Sequence, residues 1–178
     1  ELRLLDAATG AAQSLPRLPA GGATRAEFHP SLSELALSVN STQGPSQIHS
    51  LDTSTGAVTA WTKPAGIEGL DLQSLPEQQV VRWKSFDGLE ISGFYYKAPS
   101  RFSGKRPVII NIHGGPEGQS RPSFINRNNY FLNELGVSII FPNVCGSVGF
   151  GKTFVGLDNG IKREESLNDI GATLARVR

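Results

Sequence analysis

The sequence predicts an α/β chain in two parts, an antiparallel β region over residues 1–77 and a mixed region over residues 78–178 that alternates strands with helices. Three observations carry this. A segment near the start recurs forty-six residues later with its turn residues in register. The second part contains β-branched apolar runs of the kind buried on both faces of a parallel sheet. Its elements then follow in the order strand, strand, strand, helix, strand, helix, which reads as an α/β layer structure.

The repeat comes first. LLDAATGAAQSLPRL (4–18) aligns with SLDTSTGAVTAWTKP (50–64), placing Asp6 against Asp52 and Gly10 against Gly56. Each copy reads as strand, tight Asp-x-x-x-Gly turn, strand, the glycine supplying positive φ. Ala26 to Pro30 and Glu34 to Val39 add short strands around a Pro-Ser turn. A period of this length, with four strands to a unit, is that of β-propeller blades. One repeat and a fraction are present, so the expectation is part of a propeller rather than a closed one. Pro64, Gly66, Gly69 and Pro76 then break both periodicities, and the boundary is placed near residue 78.

Beyond it, Val80–Trp83 and Leu89–Tyr96 flank Asp87-Gly88, a hairpin signal. Residues 107–112 form a buried strand ending in His113-Gly114-Gly115-Pro116. Asn126–Leu135 reads as a helix with Tyr130, Phe131, Leu132 and Leu135 largely on one face, and Gly136 as its C′ residue. Residues 137–141 are the next buried strand, stopped by Pro142. Ser166 can cap a last helix with Asp169 three residues on, and Leu167, Ile170, Leu174 and Val177 form its apolar stripe.

Composition excludes several classes. Seventeen basic against sixteen acidic residues leave a net charge of +1 in 178 residues, so no electrostatic case exists for nucleic acid or an anionic membrane surface. No run approaches the ~18 apolar residues of a membrane-spanning helix. The single Cys145 rules out an internal disulfide framework and a cysteine zinc site. His29 and His49 have no ligand partners at metal spacing. Nothing in the sequence specifies an oligomeric state or a compartment. The first residue is Glu1 and the last lies within a helical pattern, which reads as a piece of something longer.

The chemistry centres on Gly114 and Gly115. Two glycines after a buried strand let the backbone turn and aim peptide N–H groups at a developing negative charge, the arrangement an oxyanion hole needs. The loop after the third strand is where α/β-hydrolases place one such donor. Three motifs in this order, HGGPEGQ (113–119), FPNVCGSVGFGK (141–152) and LDNGIKREESLNDIGA (157–172), resemble the prolyl oligopeptidase family of serine peptidases, with the greatest likeness to its acylaminoacyl- and dipeptidyl-peptidase-like members. The resemblance covers roughly residues 80–178 well and residues 1–79 only in style. It departs at Cys145, where the family usually has Arg, and at Phe150, where it usually has Tyr.

The resemblance implies the N-terminal half of an α/β-hydrolase domain preceded by β-propeller blades. It also implies hydrolysis of short peptides, or of accessible peptide termini, through an acyl-enzyme. The Gly115 N–H would be one oxyanion donor, supported by Gly114 and by His113 as a positioning residue. The nucleophile, acid and base would lie after Arg178, leaving 1–178 alone inactive. No cofactor or metal is implied, and the partner is a peptide substrate.

Two alternatives stand beside it. GSVGFGKT (146–153) satisfies the phosphate-binding pattern G-x-x-x-x-G-K-[ST], with Lys152 and Thr153 as its ligands. That site needs a helix starting at the Lys-Thr pair. Gly156, Asp158, Asn159 and Gly160 are expected to prevent one. An esterase of the same fold would share the oxyanion chemistry. Ser147 is one residue off the nucleophile pattern, and Cys145 has no acid–base partner in the sequence and reads as a semi-buried inert thiol. Lys162–Glu165 reads as a solvated charged turn, and Asp158 and Asp169 as turn and helix-start residues.

Overall fold

The computed structural model describes residues 2–16, 18, 22–64, 68–69, 71–115 and 117–177. Part of the 64–76 linker, Gly66 included, and Pro116 of the glycine loop lie outside the described residues. The chain divides into two compact units. One runs to Leu75 and takes in Pro122–Asn126; the other comprises Pro76–Arg121 and the chain from Arg127 onward.

In the first unit, strands β1 (Leu4–Leu5) and β2 (Ala12–Gln13) pair antiparallel. Strands β3 (Gly22–Phe28), β4 (Glu34–Asn40), β5 (Gln47–Asp52) and β6 (Val58–Ala60) form a four-stranded sheet in chain order, antiparallel throughout. The repeat is visible in three dimensions. The Asp6 N–H donates to Ala11 and the Asp52 N–H to Ala57, each at 2.9 Å, while the Gly10 and Gly56 N–H groups return to those aspartates at 2.8 Å. Gly10 and Gly56 have φ of 69° and 77°. Both aspartate side chains cap their turns: Asp6 accepts from Ala8 and Thr9, and Asp52 from Ser54 and Thr55. Those bonds favour the carboxylate, with the Ser54 hydroxyl first among them, and hold the Asp52 pKa down to about 2. The β4 residues Leu35, Leu37 and Val39 alternate into a core with Leu51.

The second unit is built on a mixed sheet in the order β7-β8-β10-β9. The expected hairpin is present as β7 (Gln79–Lys84) and β8 (Glu90–Tyr96), closed by the Ser85 N–H on Leu89 at 2.8 Å. Strand β9 (Val108–Ile110) lies parallel to β10 (Ser138–Asn143), and β10 is antiparallel to β8. A parallel pair needs a crossover, which carries helix α1 (Asn128–Asn133). A one-turn helix α2 (Lys152–Val155), 3₁₀ turns at Gly156–Asp158 and Gly160–Glu164, and helix α3 (Glu165–Val177) follow. Phe154, Ala172 and Val177 pack on the Trp83, Ile91 and Ile140 cluster.

Several expectations are corrected. Residues 107–112 are not a strand buried on both faces: β9 is three residues long, stands at the sheet edge, and leaves Ile109 and Ile112 37% and 45% exposed. Pro142 does not stop its strand. The Ile140 carbonyl accepts from Asn111 on the β9 side. Two residues on, Pro142 faces that same edge beyond the end of β9, where no ladder donor is required. Helix α1 is shorter than 126–135 and buries only Leu132, while Tyr130 is 59% exposed. Its end is as expected: Gly136 has φ of 62°, and the Val137 N–H closes on Phe131 six residues back.

Helix α3 keeps only part of the predicted stripe: Val177 packs on the core cluster and Ile170 is half-buried, but the two leucines face outward. It begins at Glu165, and the Ser166 hydroxyl donates back to Arg163 rather than capping forward. Leu167 and Leu174 are exposed, whereas Asp169 and Thr173 are 1% and 0% exposed.

Candidate functional site

Because β9 and β10 run parallel, their carboxyl ends lie side by side, and the loops leaving them meet there, the edge of a parallel sheet where ligands bind. The first loop carries His113, Gly114 and Gly115; the second runs from Val144 to Gly151. Three contacts join them. His113 Nε2 lies 2.9 Å from Ser147 Oγ. The Val148 N–H donates to Gly118 at 3.0 Å. Asn143 clamps Ser120 from both sides, accepting its N–H at 2.7 Å and donating to its carbonyl at 3.1 Å.

Close packing accompanies the hydrogen bonds. A Cβ on Gly118 would lie 2.1 Å from the Gly114 carbonyl oxygen and 2.5 Å from His113 Nδ1, so only glycine fits. Glu117 adopts φ of 68°, a left-handed conformation costing roughly 1–2 kcal/mol for a side chain of its kind. The space at Gly114 and Gly115 is open by contrast. A Cβ would meet nothing within 4 Å at Gly114, and only the Glu117 nitrogen at 3.4 Å at Gly115. Among the described residues neither N–H has a hydrogen-bond partner.

His113 and Ser147 are a serine–histidine contact, yet the serine is not poised to attack. It is 1% exposed, and its hydroxyl donates to the Val144 carbonyl at 2.7 Å. His113 Nδ1 faces the Gly114 carbonyl at 3.1 Å rather than a carboxylate. The histidine therefore positions the loop, tying it to the buried turn at Ser147.

Asp169 is the residue that sequence reasoning missed. Its carboxylate accepts from the Cys145 N–H at 2.7 Å and from the Ser85 hydroxyl, joining helix α3, the second loop and the β7–β8 turn. Asp158 lies against Gly146, where a Cβ would strike its carboxylate. Cys145 is 5% exposed, deeper than expected. Its burial first, then Asp169, with Asp158 and Glu165 adding like charge, pushes the thiol up to about 12. Cys145 should therefore resist an alkylating reagent in the native chain from pH 7 to 10 and react once unfolded; native labelling at pH 8 would contradict this. A folded pKa raised above the ordinary 9.0 also means that this thiol's contribution to stability is complete below about pH 9. It is lost as pH rises towards 12.

The GKT pattern receives a correction and a physical answer. A helix does begin at Lys152, contrary to expectation, but it lasts four residues and ends at Gly156. Three of the loop amides that would cradle phosphate are already used. Gly146 donates to Phe154, Ser147 to Val144 and Val148 to Gly118. Among the described residues no group of three His, Cys, Asp or Glu side chains could hold a metal ion. No helix there is long and apolar enough to cross a membrane.

No family model matches the chain. An uncharacterized peptidase of Rickettsia prowazekii (strain Madrid E) is 34% identical over 90 residues, covering 49% of this chain and 12% of that protein. An uncharacterized peptidase of Bacillus subtilis (strain 168) is 27% identical over 99 residues, covering 54% and 14%. In fold, the chain matches a prolyl endopeptidase with a TM-score of 0.81 at 21% identity, covering 94% of this chain and 24% of the other. A puromycin hydrolase matches at 0.77 with 22% identity over 98% and 27%. The Pyrococcus horikoshii acylaminoacyl peptidase matches at 0.68 with 23% identity over 94% and 26%. The chain thus spans 12% and 14% of the length of its two curated relatives. In sequence the chain is similar to two peptidases, and it shares the fold of these hydrolases, in keeping with its resemblance to the prolyl oligopeptidase family of serine peptidases.

Proposed function

We propose that this chain is a segment of a longer serine peptidase, in which the first unit is part of a β-propeller and the second the N-terminal half of an α/β-hydrolase domain. Its contribution to catalysis is the oxyanion loop. The observation that carries this is the pair of N–H groups at Gly114 and Gly115 without a partner among the described residues, at the carboxyl end of β9, in a loop braced from behind by His113, Gly118 and Asn143. A carbonyl oxygen docked there receives the Gly115 N–H as charge develops, in a site whose donors are already oriented and need no reorganisation. The second donor, the serine, its base and its acid come from residues outside this chain, by analogy with the order of motifs in the fold. The substrate is a peptide, attacked through an acyl-enzyme.

The longer protein is expected to hydrolyse aminoacyl and acyl-aminoacyl p-nitroanilides and to lose that activity to a serine-directed phosphonate. Failure to cleave any amide, with esters turned over freely, would favour an esterase of this fold. The chain 1–178 alone should hydrolyse neither class. Phosphonate-sensitive turnover by it would show that a nucleophile lies within these residues after all.

A further inference from the structure

At the amino ends of β9 and β10, the opposite end of that parallel pair from Gly114 and Gly115, the second unit holds a hollow of about 440 Å³. Its surroundings are basic because the sequence there is. Between Glu90 and Glu117 the chain has no acidic residue, while Lys97, Arg101, Lys105 and Arg106 follow one another closely. Lys97, Lys105 and Arg106 line the hollow together with Ser138, and among the described residues no acidic side chain lines it. Neither lysine is in an ion pair with a carboxylate among those residues.

Two of the lining groups are fixed in place. Arg106 donates from Nε to the Gly136 carbonyl at 2.9 Å and from Nη2 to the Leu135 carbonyl at 2.7 Å, with its guanidinium 5.3 Å from the centre of the Phe102 ring. A Cβ on Gly136 would lie 2.8 Å from Nη2, so glycine lets the guanidinium sit there. A guanidinium has five N–H donors, and these two bonds leave the rest free for a ligand. Ser138 is 3% exposed; its hydroxyl oxygen accepts the Ala98 N–H at 3.0 Å, and among the described residues nothing accepts its own proton. A buried donor without an acceptor is costly, and a ligand oxygen in the hollow would satisfy this one.

We infer that the hollow is a binding site for a phosphorylated small molecule. Its polar lining supplies donors and positive charge with no carboxylate to oppose them, which selects an anion rich in acceptor oxygens. Three cations outweigh the single charge of a carboxylate, whereas a phosphate monoester carries about two charges and three acceptor oxygens. Val108 and Val177 add an apolar wall that suits an organic remainder on the phosphate. The volume is that of a ligand pocket, roughly 300–1,000 Å³. GSVGFGKT plays no part, because it lies in the loop beyond the carboxyl end of β10. The inference uses nothing of the oxyanion loop, so it and the peptidase reading can fail separately.

Calorimetric titration of the 178-residue chain, and of the longer protein containing it, at one fixed ionic strength tests this with pyrophosphate, inorganic phosphate, phenyl phosphate and acetate as probes. Pyrophosphate should bind about tenfold or more tighter than acetate, and phenyl phosphate tighter than inorganic phosphate. Lys97→Gln and Lys105→Gln should each weaken pyrophosphate about tenfold. Both side chains are exposed, so the melting temperature of the ligand-free chain should not move. Lys84→Gln and Lys152→Gln, exposed cations outside the hollow, should leave binding unchanged. Equal weakening in all four variants would overturn the inference in favour of diffuse attraction to positive charge. Weakening by Lys152→Gln alone would overturn it in favour of the GKT loop. Binding by 1–178 but not by the longer protein would overturn it too, since further chain would then fill the hollow. So would the absence of pyrophosphate binding at millimolar concentration.

Discussion

Replacing Asp169 with Ala is expected to destabilise the second unit by about 2–6 kcal/mol, since it orphans two buried donors at about 1–3 kcal/mol each. Those donors are the Cys145 N–H and the Ser85 hydroxyl, which belong to separate segments and meet only at this carboxylate. The carboxylate is 1% exposed, so water does not replace it without opening the structure. Asp169→Asn keeps one acceptor oxygen and should cost less than Asp169→Ala. Urea unfolding read as a midpoint shift at constant slope would measure both. A change of less than 1 kcal/mol in the alanine variant would mean that the loop and the hairpin turn are held by something else.

Gly115→Val should act on chemistry rather than folding. The folded loop has room for a side chain at this position, its nearest neighbour being the Glu117 nitrogen at 3.4 Å. The added bulk instead occupies the space through which a carbonyl oxygen reaches the N–H. In the longer protein proposed above, kcat should fall by about 10²–10³-fold, the cost of losing one oxyanion donor. KM should change far less, because the bond strengthens mainly in the transition state. The unfolding curve of 1–178 carrying the same substitution should superpose on that of the natural chain. Undiminished turnover would remove Gly115 from the mechanism. A parallel loss of stability would show that the valine damages the loop instead.

The residues sort by how local their physics is. The Asp-x-x-x-Gly turns, the Asp87-Gly88 hairpin and the Gly136 helix end were legible because each depends on the backbone freedom of one residue and on neighbours within six positions. Gly114 and Gly115 are not such a case: neither has positive φ, and the left-handed residue of that loop is Glu117. Misreadings arose where periodicity was asked to assign faces. Leu167 and Leu174 have core-like spacing, yet α3 turns Asp169 inward, because a buried carboxylate is tolerated when distant donors meet it. One of those donors, Ser85, is 84 residues away in the chain, and no spacing rule connects them. The GKT motif failed in a similar way: its letters are correct, but its first three amides are already committed to Phe154, Val144 and Gly118, and the helix at Lys152 lasts four residues.

By itself, then, the sequence determined the repeat, the order of strands and helices, and the resemblance to a peptidase family, since these follow from local backbone preference and ordered motifs. The tertiary structure alone decided that His113 braces against Ser147, that Asn143 grips Ser120, and that Asp169 rather than a leucine faces inward. Each of these joins segments that are remote along the chain. The first two depend on the parallel pairing of β9 and β10, which brings the two loops to one edge of the sheet, and the third on the docking of α3 against the second loop and the β7–β8 turn.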